Sequence, residues 1–110
     1  MSRVIAEVSF SPLGTPTPSL REYVAAAIAV LADHPEVTYQ LNPMGTVIEG
    51  ERRDVINVVE EMNEAVFAAG ALRVGTTLKI DERRDKLTSM AHKVDVVMQQ
   101  LQEKKPGGSR

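Results

Sequence analysis

The sequence predicts an α+β fold in the order strand, helix, strand, strand, helix, strand, with one further helix at the C-terminus. Three observations carry this. Residues 3–10 and 73–81 alternate apolar and polar side chains with a period of two. Two apolar runs, "VTYQLN" at 37–42 and "TVIEG" at 46–50, are separated only by Pro43, Met44 and Gly45. Between and after these, three longer stretches space apolar residues by three and four, the mark of a helix with one buried stripe.

In the first strand, "RVIAEVSF", Val4, Ala6, Val8 and Phe10 fall on one side and Arg3, Ile5, Glu7 and Ser9 on the other. "SPLGTPTP" then breaks the pattern with three prolines and a glycine in eight residues, which predicts a loop. Ser19 opens a capping box, S-L-R-E, in which its hydroxyl serves a free amide of the first turn and Glu22 reaches back. A helix follows to about Asp33, with Leu20, Val24, Ile28 and Leu31 as its buried stripe; His34-Pro35 ends it, because the residue before proline is driven out of helical geometry. The runs at 37–42 and 46–50 form a hairpin around a short glycine-containing loop. A second helix spans about Glu51 to Ala69, with Val55, Val59, Met62 and Val66 inward and Gly70 placed to stop it. The last strand turns Val74, Thr76, Leu78 and Ile80 inward. After Asp85 a third helix carries Leu87, Met90, Val94, Val97 and Leu101 at three-four steps.

Two β-α-β crossovers joined by a hairpin give a ferredoxin-like βαββαβ arrangement, a four-stranded antiparallel sheet with two helices on one face. The third helix lies at the sheet edge or in a subunit contact. At 110 residues the chain holds one domain, expected over 1–104, with 105–110 as a flexible tail.

Composition removes several classes of function. There is no cysteine, so disulfide scaffolds, thiol catalysis and thiolate zinc sites are excluded. A net charge of −2 with no basic stripe gives no reason to expect a nucleic acid. Arg3 and Glu7 interrupt the N-terminus as a signal peptide, and the longest apolar run, "VAAAIAVLA", falls far short of the roughly 20 residues of a membrane span. A soluble cytosolic protein, with no membrane partner, is the expectation.

The uncovered sheet face carries Ile5, Glu7 and Ser9 from the first strand and Thr77, Lys79 and Asp81 from the last. If Ile48 points into the core, Val47 and Glu49 join them, and two carboxylates on adjacent strands lie near one lysine. Such a face suits packing against another subunit, with Lys79 neutralising the acids. It equally suits a polar pocket for a cationic or amidine-like molecule, since a carboxylate pairs with an aminopyrimidine edge through two hydrogen bonds. Both uses are compatible in one oligomer. An RNA-binding sheet would need aromatics where Ile5, Glu7, Val47 and Glu49 stand, and an acylphosphatase-type site would need an arginine in the "SPLGTPTP" loop. His34 and His92 have no spaced metal-ligand partner and are expected at the surface. "DERRD" at 81–85 is expected as a solvated turn, with Asp85 capping the helix and its arginines in subunit salt bridges.

Three blocks, "EVSFSPLGT", "YQLNPMGTVIEG" and "KIDERRDK", together resemble the small thiamine-binding protein family of YkoF-like, ferredoxin-like fold, over residues 3 to about 98. The resemblance implies a cytosolic, non-enzymatic binder of thiamine or its hydroxymethylpyrimidine part, self-associated as a dimer or tetramer. It implies no cofactor beyond thiamine as a possible ligand, and no metal. Carried onto this chain, the hairpin motif points to Asn42, Thr46 and Glu49 and the first-loop motif to Ser9, Ser11, Leu13, Gly14 and Thr15. In that reading Glu49 accepts from the aminopyrimidine, hydroxyls bind ring nitrogens, and the glycine admits the ligand to the backbone. The aromatics are Tyr23, Tyr39, Phe10 and Phe67, and with Phe10 in the core, the shortage of rings either lowers the expected affinity or moves stacking onto Leu13 and Met44. Acidic residues at such a site would make thiamine phosphates weaker ligands. The alternative function is an oligomeric scaffold without a small-molecule ligand.

Overall fold

A computed structural model describes residues 2–14, 20–85 and 90–103. Its elements run β1 (Arg3–Leu13), α1 (Arg21–Leu31), β2 (Thr38–Asn42), β3 (Gly45–Glu51), α2 (Arg52–Ala68), β4 (Arg73–Glu82) and α3 (Met90–Glu103). The four strands form one antiparallel sheet in the order β2-β3-β1-β4, so β1 and β3 are the central pair, as the ferredoxin-like arrangement requires.

Alternation decides what each strand buries. Val4, Ala6 and Val8 of β1 and Ile48 of β3 are buried against the helices, together with Val55, Val58, Val59, Met62 and Val66 of α2. This settles the parity of the hairpin: Ile48 is core, and Val47 and Glu49 share the other face with Ile5 and Glu7. Gly70 ends α2 at φ 118°, a left-handed conformation that suits glycine, and its amide donates to the Phe67 carbonyl at 2.9 Å.

Three elements differ from expectation. In β4, an edge strand, Thr76 and Ile80 of the predicted inward row remain exposed, and only Val74 and Leu78 are half-buried. β1 runs on through Pro12 to Leu13 instead of stopping at Phe10, because β4 pairs with it as far as Leu13↔Arg73. Its pairing with β3 ends at Val8↔Thr46, so beyond that point the β1 edge facing β3 is vacant, and a proline without an N–H is tolerated there. The buried row of α1 is Tyr23, Ala27 and Leu31: Leu31 is buried as predicted, while Tyr23 and Ala27 stand one position before the predicted Val24 and Ile28. Small Ala27 lets α1 approach the sheet and α2, while Leu20 and Val24 remain 40% and 50% exposed. The capping box at Ser19, the position of Leu87 and the tail from 105 lie outside the described residues.

Candidate ligand site

The mismatch in strand lengths makes a cavity. Where β3 turns back into the hairpin and β1 continues with β4 alone, the helix-facing side of the sheet opens beneath the first two turns of α1. The resulting space is about 200 Å³. Its walls are Val8, Phe10 and Pro12 of β1, the hairpin residues Asn42 to Thr46, and Leu20, Tyr23, Val24 and Ile28 of α1, with fully buried Met62 of α2 behind them. Leu20 and Val24, predicted as core, are therefore cavity wall.

Ser9, Tyr23, Asn42 and Thr46 are the polar residues of this lining, but alternation places the Ser9 side chain on the face of Ile5 and Glu7, and Asn42, paired with Gly45, on the face of Val47 and Glu49, so Tyr23 and Thr46 carry the polar side chains on the helix-facing side. Thr46 is buried on the helix-facing side of β3, directly across from Val8. A hydroxyl and a phenol, each able to donate and accept, can read the edge of a small heterocycle inside an otherwise apolar slot. No Asp, Glu, Lys, Arg or His stands among the described residues of the lining. Phe10 and Tyr23 both face the space, so the expectation that stacking falls to Leu13 and Met44 is corrected. Phe10 is half-buried rather than sealed in the core, and Met44 contributes beside the two rings, whereas Leu13 is not among the lining residues.

The eight residues singled out from the sequence do not form one constellation. Ser9, Asn42 and Thr46 line the cavity. Ser11, Leu13 and Gly14 lie farther along the β1 extension and its end, away from the lining, and Thr15 is outside the described residues. Glu49 is three residues from Thr46 on the same strand, and odd spacing on a strand puts side chains on opposite faces. It is 8% exposed, faces Ile5 across the β1–β3 ladder, and accepts from Arg3 Nη2 at 3.3 Å. Lys79 stands opposite Glu7 instead. Arg3 pairs in register with Glu51, so its reach to Glu49 is a diagonal one; alternation put Arg3 on the correct face, and the diagonal rule was the signal available for its partner.

Other charged groups are paired within the chain. Arg84 and Arg52 both donate to Glu82, at 2.7 and 2.8 Å, and Arg83 pairs with Asp85, so the arginines of "DERRD" have partners on their own chain. The Arg84 hydrogen bond holds the Glu82 carboxyl below its ordinary pKa. His34 is not a simple surface residue: its Nδ1 lies 2.7 Å from Glu36 and its Nε2 3.0 Å from Glu61 of α2. Those two hydrogen bonds, Glu36 first, raise the pKa of the ring. Among the described residues no group of His, Asp or Glu is arranged to hold a metal, and no helix is long and apolar enough to cross a membrane.

Residues 6–98 match the family described as thiamine-binding protein. The chain belongs to that family. Its relatives in the family span nearly the same length. The UPF0045 protein YqgV of Bacillus subtilis is 43% identical over 101 residues, covering 89% of this chain and 97% of its own. A UPF0045 protein of Methanothermobacter thermautotrophicus is 42% identical over 99 residues, covering 89% and 99%. The crystal structure of MJ1052 from Methanocaldococcus jannaschii superposes with a TM-score of 0.81 at 36% identity, covering 89% of this chain and 98% of that one. Family membership and the α+β sheet with two covering helices agree with the resemblance carried by the three sequence blocks.

Proposed function

We propose that this protein binds thiamine or a related hydroxymethylpyrimidine without transforming it, in the cavity between α1 and the β2–β3 hairpin, as a cytosolic homo-oligomer. The family supports the ligand class. The observation that carries the location is the lining itself, a one-ring space with two aromatic side chains and the buried Thr46 hydroxyl. At about 200 Å³ it is smaller than the ~300 Å³ or more of sites that enclose drug-sized ligands. A pyrimidine enters, and the thiazolium with any phosphate remains at the mouth. The uncharged lining favours this order, because a fixed cation would lose hydration inside with no carboxylate to meet it.

One feature supports binding without catalysis. The Thr46 hydroxyl has no histidine or carboxylate beside it in the described lining to act as base, and no activated nucleophile results. No resident cofactor is part of the reading.

Calorimetry with thiamine, hydroxymethylpyrimidine and thiamine monophosphate tests it. Saturable heat with wild-type protein that falls at least severalfold in affinity in Thr46→Val supports the assignment. No heat and no thermal shift at millimolar ligand would overturn it, and would leave the scaffold function as the better account.

A further inference from the structure

We infer that the hydroxyls of Tyr23 and Thr46 are the specificity-determining pair of the cavity, and that together they select a ring presenting an exocyclic N–H donor beside a ring-nitrogen acceptor. The inference rests on the cavity being the ligand site, and it adds which groups choose the ligand there.

Each side chain is 9% exposed, and the two line the same space from different elements, Tyr23 from α1 and Thr46 from β3. Buried polar groups are nearly always hydrogen-bonded, yet neither hydroxyl has a partner among the described residues. No described polar side-chain atom is both sealed from solvent and unpaired, so both oxygens open onto space that water or a ligand can reach. The cavity is the space they share. The side chains around them, Val8, Phe10, Leu20, Val24 and Met62, carry no oxygen or nitrogen. The pair therefore adds nothing to the hydrogen bonding of the fold itself. Water entering the cavity satisfies it in the free protein, and a ligand that displaces this water keeps its affinity only by replacing those hydrogen bonds.

Their chemistry divides the roles. The phenol is the more acidic hydroxyl and the better donor, so Tyr23 suits a ring nitrogen; the aliphatic hydroxyl of Thr46 is the better acceptor and suits an exocyclic N–H. An aminopyrimidine presents those two groups side by side. A ring lacking either one leaves a buried hydroxyl unpaired, which is how a polar site rejects an analogue.

Tyr23→Phe and Thr46→Val delete the oxygens and keep the outlines of the side chains. Calorimetry on the full chain uses three probes: hydroxymethylpyrimidine, its analogue without the amino group, and its analogue with the adjacent ring nitrogen replaced by CH. On the wild type each analogue should bind roughly fivefold or more weaker than the parent, the loss of one hydrogen bond. Thr46→Val should shrink the penalty for the missing amino group to within about twofold, and Tyr23→Phe should do the same for the missing nitrogen. Neither variant should lower the melting midpoint of the free protein, as deleting a hydroxyl that held the fold together would. A wild-type chain that binds none of the probes overturns the cavity as ligand site and this inference with it. Binding of the parent with analogue penalties that both variants leave unchanged overturns the hydroxyl pair alone, as do variants that melt lower and keep full affinity.

Discussion

Thr46 and Glu49 are three residues apart on β3 and lie on opposite faces of the sheet, Thr46 in the wall of the cavity and Glu49 beneath Arg3. The separation divides their expected effects. Thr46→Val keeps the volume and removes the hydroxyl, so ligand affinity should fall by about 1 kcal/mol, roughly fivefold, with a smaller change in stability. Glu49→Gln should leave affinity within twofold of wild type and lower stability by on the order of 1 kcal/mol, since it removes the charge that Arg3 meets at a partly exposed position. Parallel titrations and urea melts of the two variants check this; an affinity loss confined to Glu49→Gln would move the ligand to the open face.

Gly50 makes a prediction about the entry to β2. A Cβ built there meets Val37 Cγ1 at 3.0 Å and the Glu36 carbonyl at 3.4 Å, and Val37 is itself buried. Gly50→Ala should cost about 1–3 kcal/mol from overpacking. Val37→Ala opens the same space, so the double variant should be less destabilised than the sum of the singles. Chemical denaturation of the four proteins reports the coupling, and strict additivity would show that the two sites do not meet.

The sequence carried the fold further than the site, for physical reasons that separate the two. Alternation with a period of two is a strong signal, and in β1 it placed Val4, Ala6 and Val8 inward and Arg3, Ile5 and Glu7 outward, as the structure has them. The buried row of α2 was readable because Val55, Val59, Met62 and Val66 stand against charged neighbours. In α1 apolar residues occupy almost every position, so spacing found Leu31 but could not tell the buried Tyr23 and Ala27 from the more exposed Leu20, Val24 and Ile28 beside them on the cavity. An apolar cavity wall and a core look alike in sequence. The length of β1 was hidden by Pro12 and Gly14, which mark a loop unless the strand's free edge there is known. Asn42 and Thr46 were found from the hairpin motif; the company they keep with Phe10 and Tyr23 comes only from the way α1 crosses the sheet.

His34 predicts a pH dependence whose sign follows from its donors. A neutral imidazole has one N–H, and bonding both Glu36 and Glu61 requires two, so the bridge from the α1 exit to α2 is complete only in the charged ring. Because folding raises the His34 pKa, its contribution is fully present below the unfolded value of about 6.5 and is lost as pH rises through the raised folded value. Glu36 is shifted down, chiefly by its hydrogen bond to His34, so its contribution is present above about 4.3 and is lost as pH falls through the lowered value. The stability difference between wild type and His34→Gln should therefore be greatest in the mildly acidic range between these limits and shrink on both sides. Thermal melts of both proteins across that range, with the ring titration followed by NMR, check it. A difference that stays constant with pH would mean the imidazole acts by packing alone.

The uncharged cavity lining changes what the ligand's own charge should do. Acidic residues near the ligand would penalise thiamine phosphates, but the acids of this chain that prompted that expectation, Glu7 and Glu49, are on the far face of the sheet. A pyrimidine seated among Phe10, Tyr23 and Thr46 leaves the phosphate in solvent beyond the cavity mouth, where salt screens what remains. Thiamine and thiamine monophosphate should then differ by less than tenfold in affinity, under about 1.4 kcal/mol. Raising salt from low to physiological ionic strength should move neither value by more than about twofold. Replacing the 4-amino group of the pyrimidine by an oxygen should cost more than adding the phosphate does, because it reverses the hydrogen-bonding edge presented to Tyr23 and Thr46 and leaves buried groups mismatched. Competitive calorimetry with the three compounds at two salt concentrations measures all of this together, and a phosphate penalty larger than the amino-to-oxo penalty would place the ligand against the charged face.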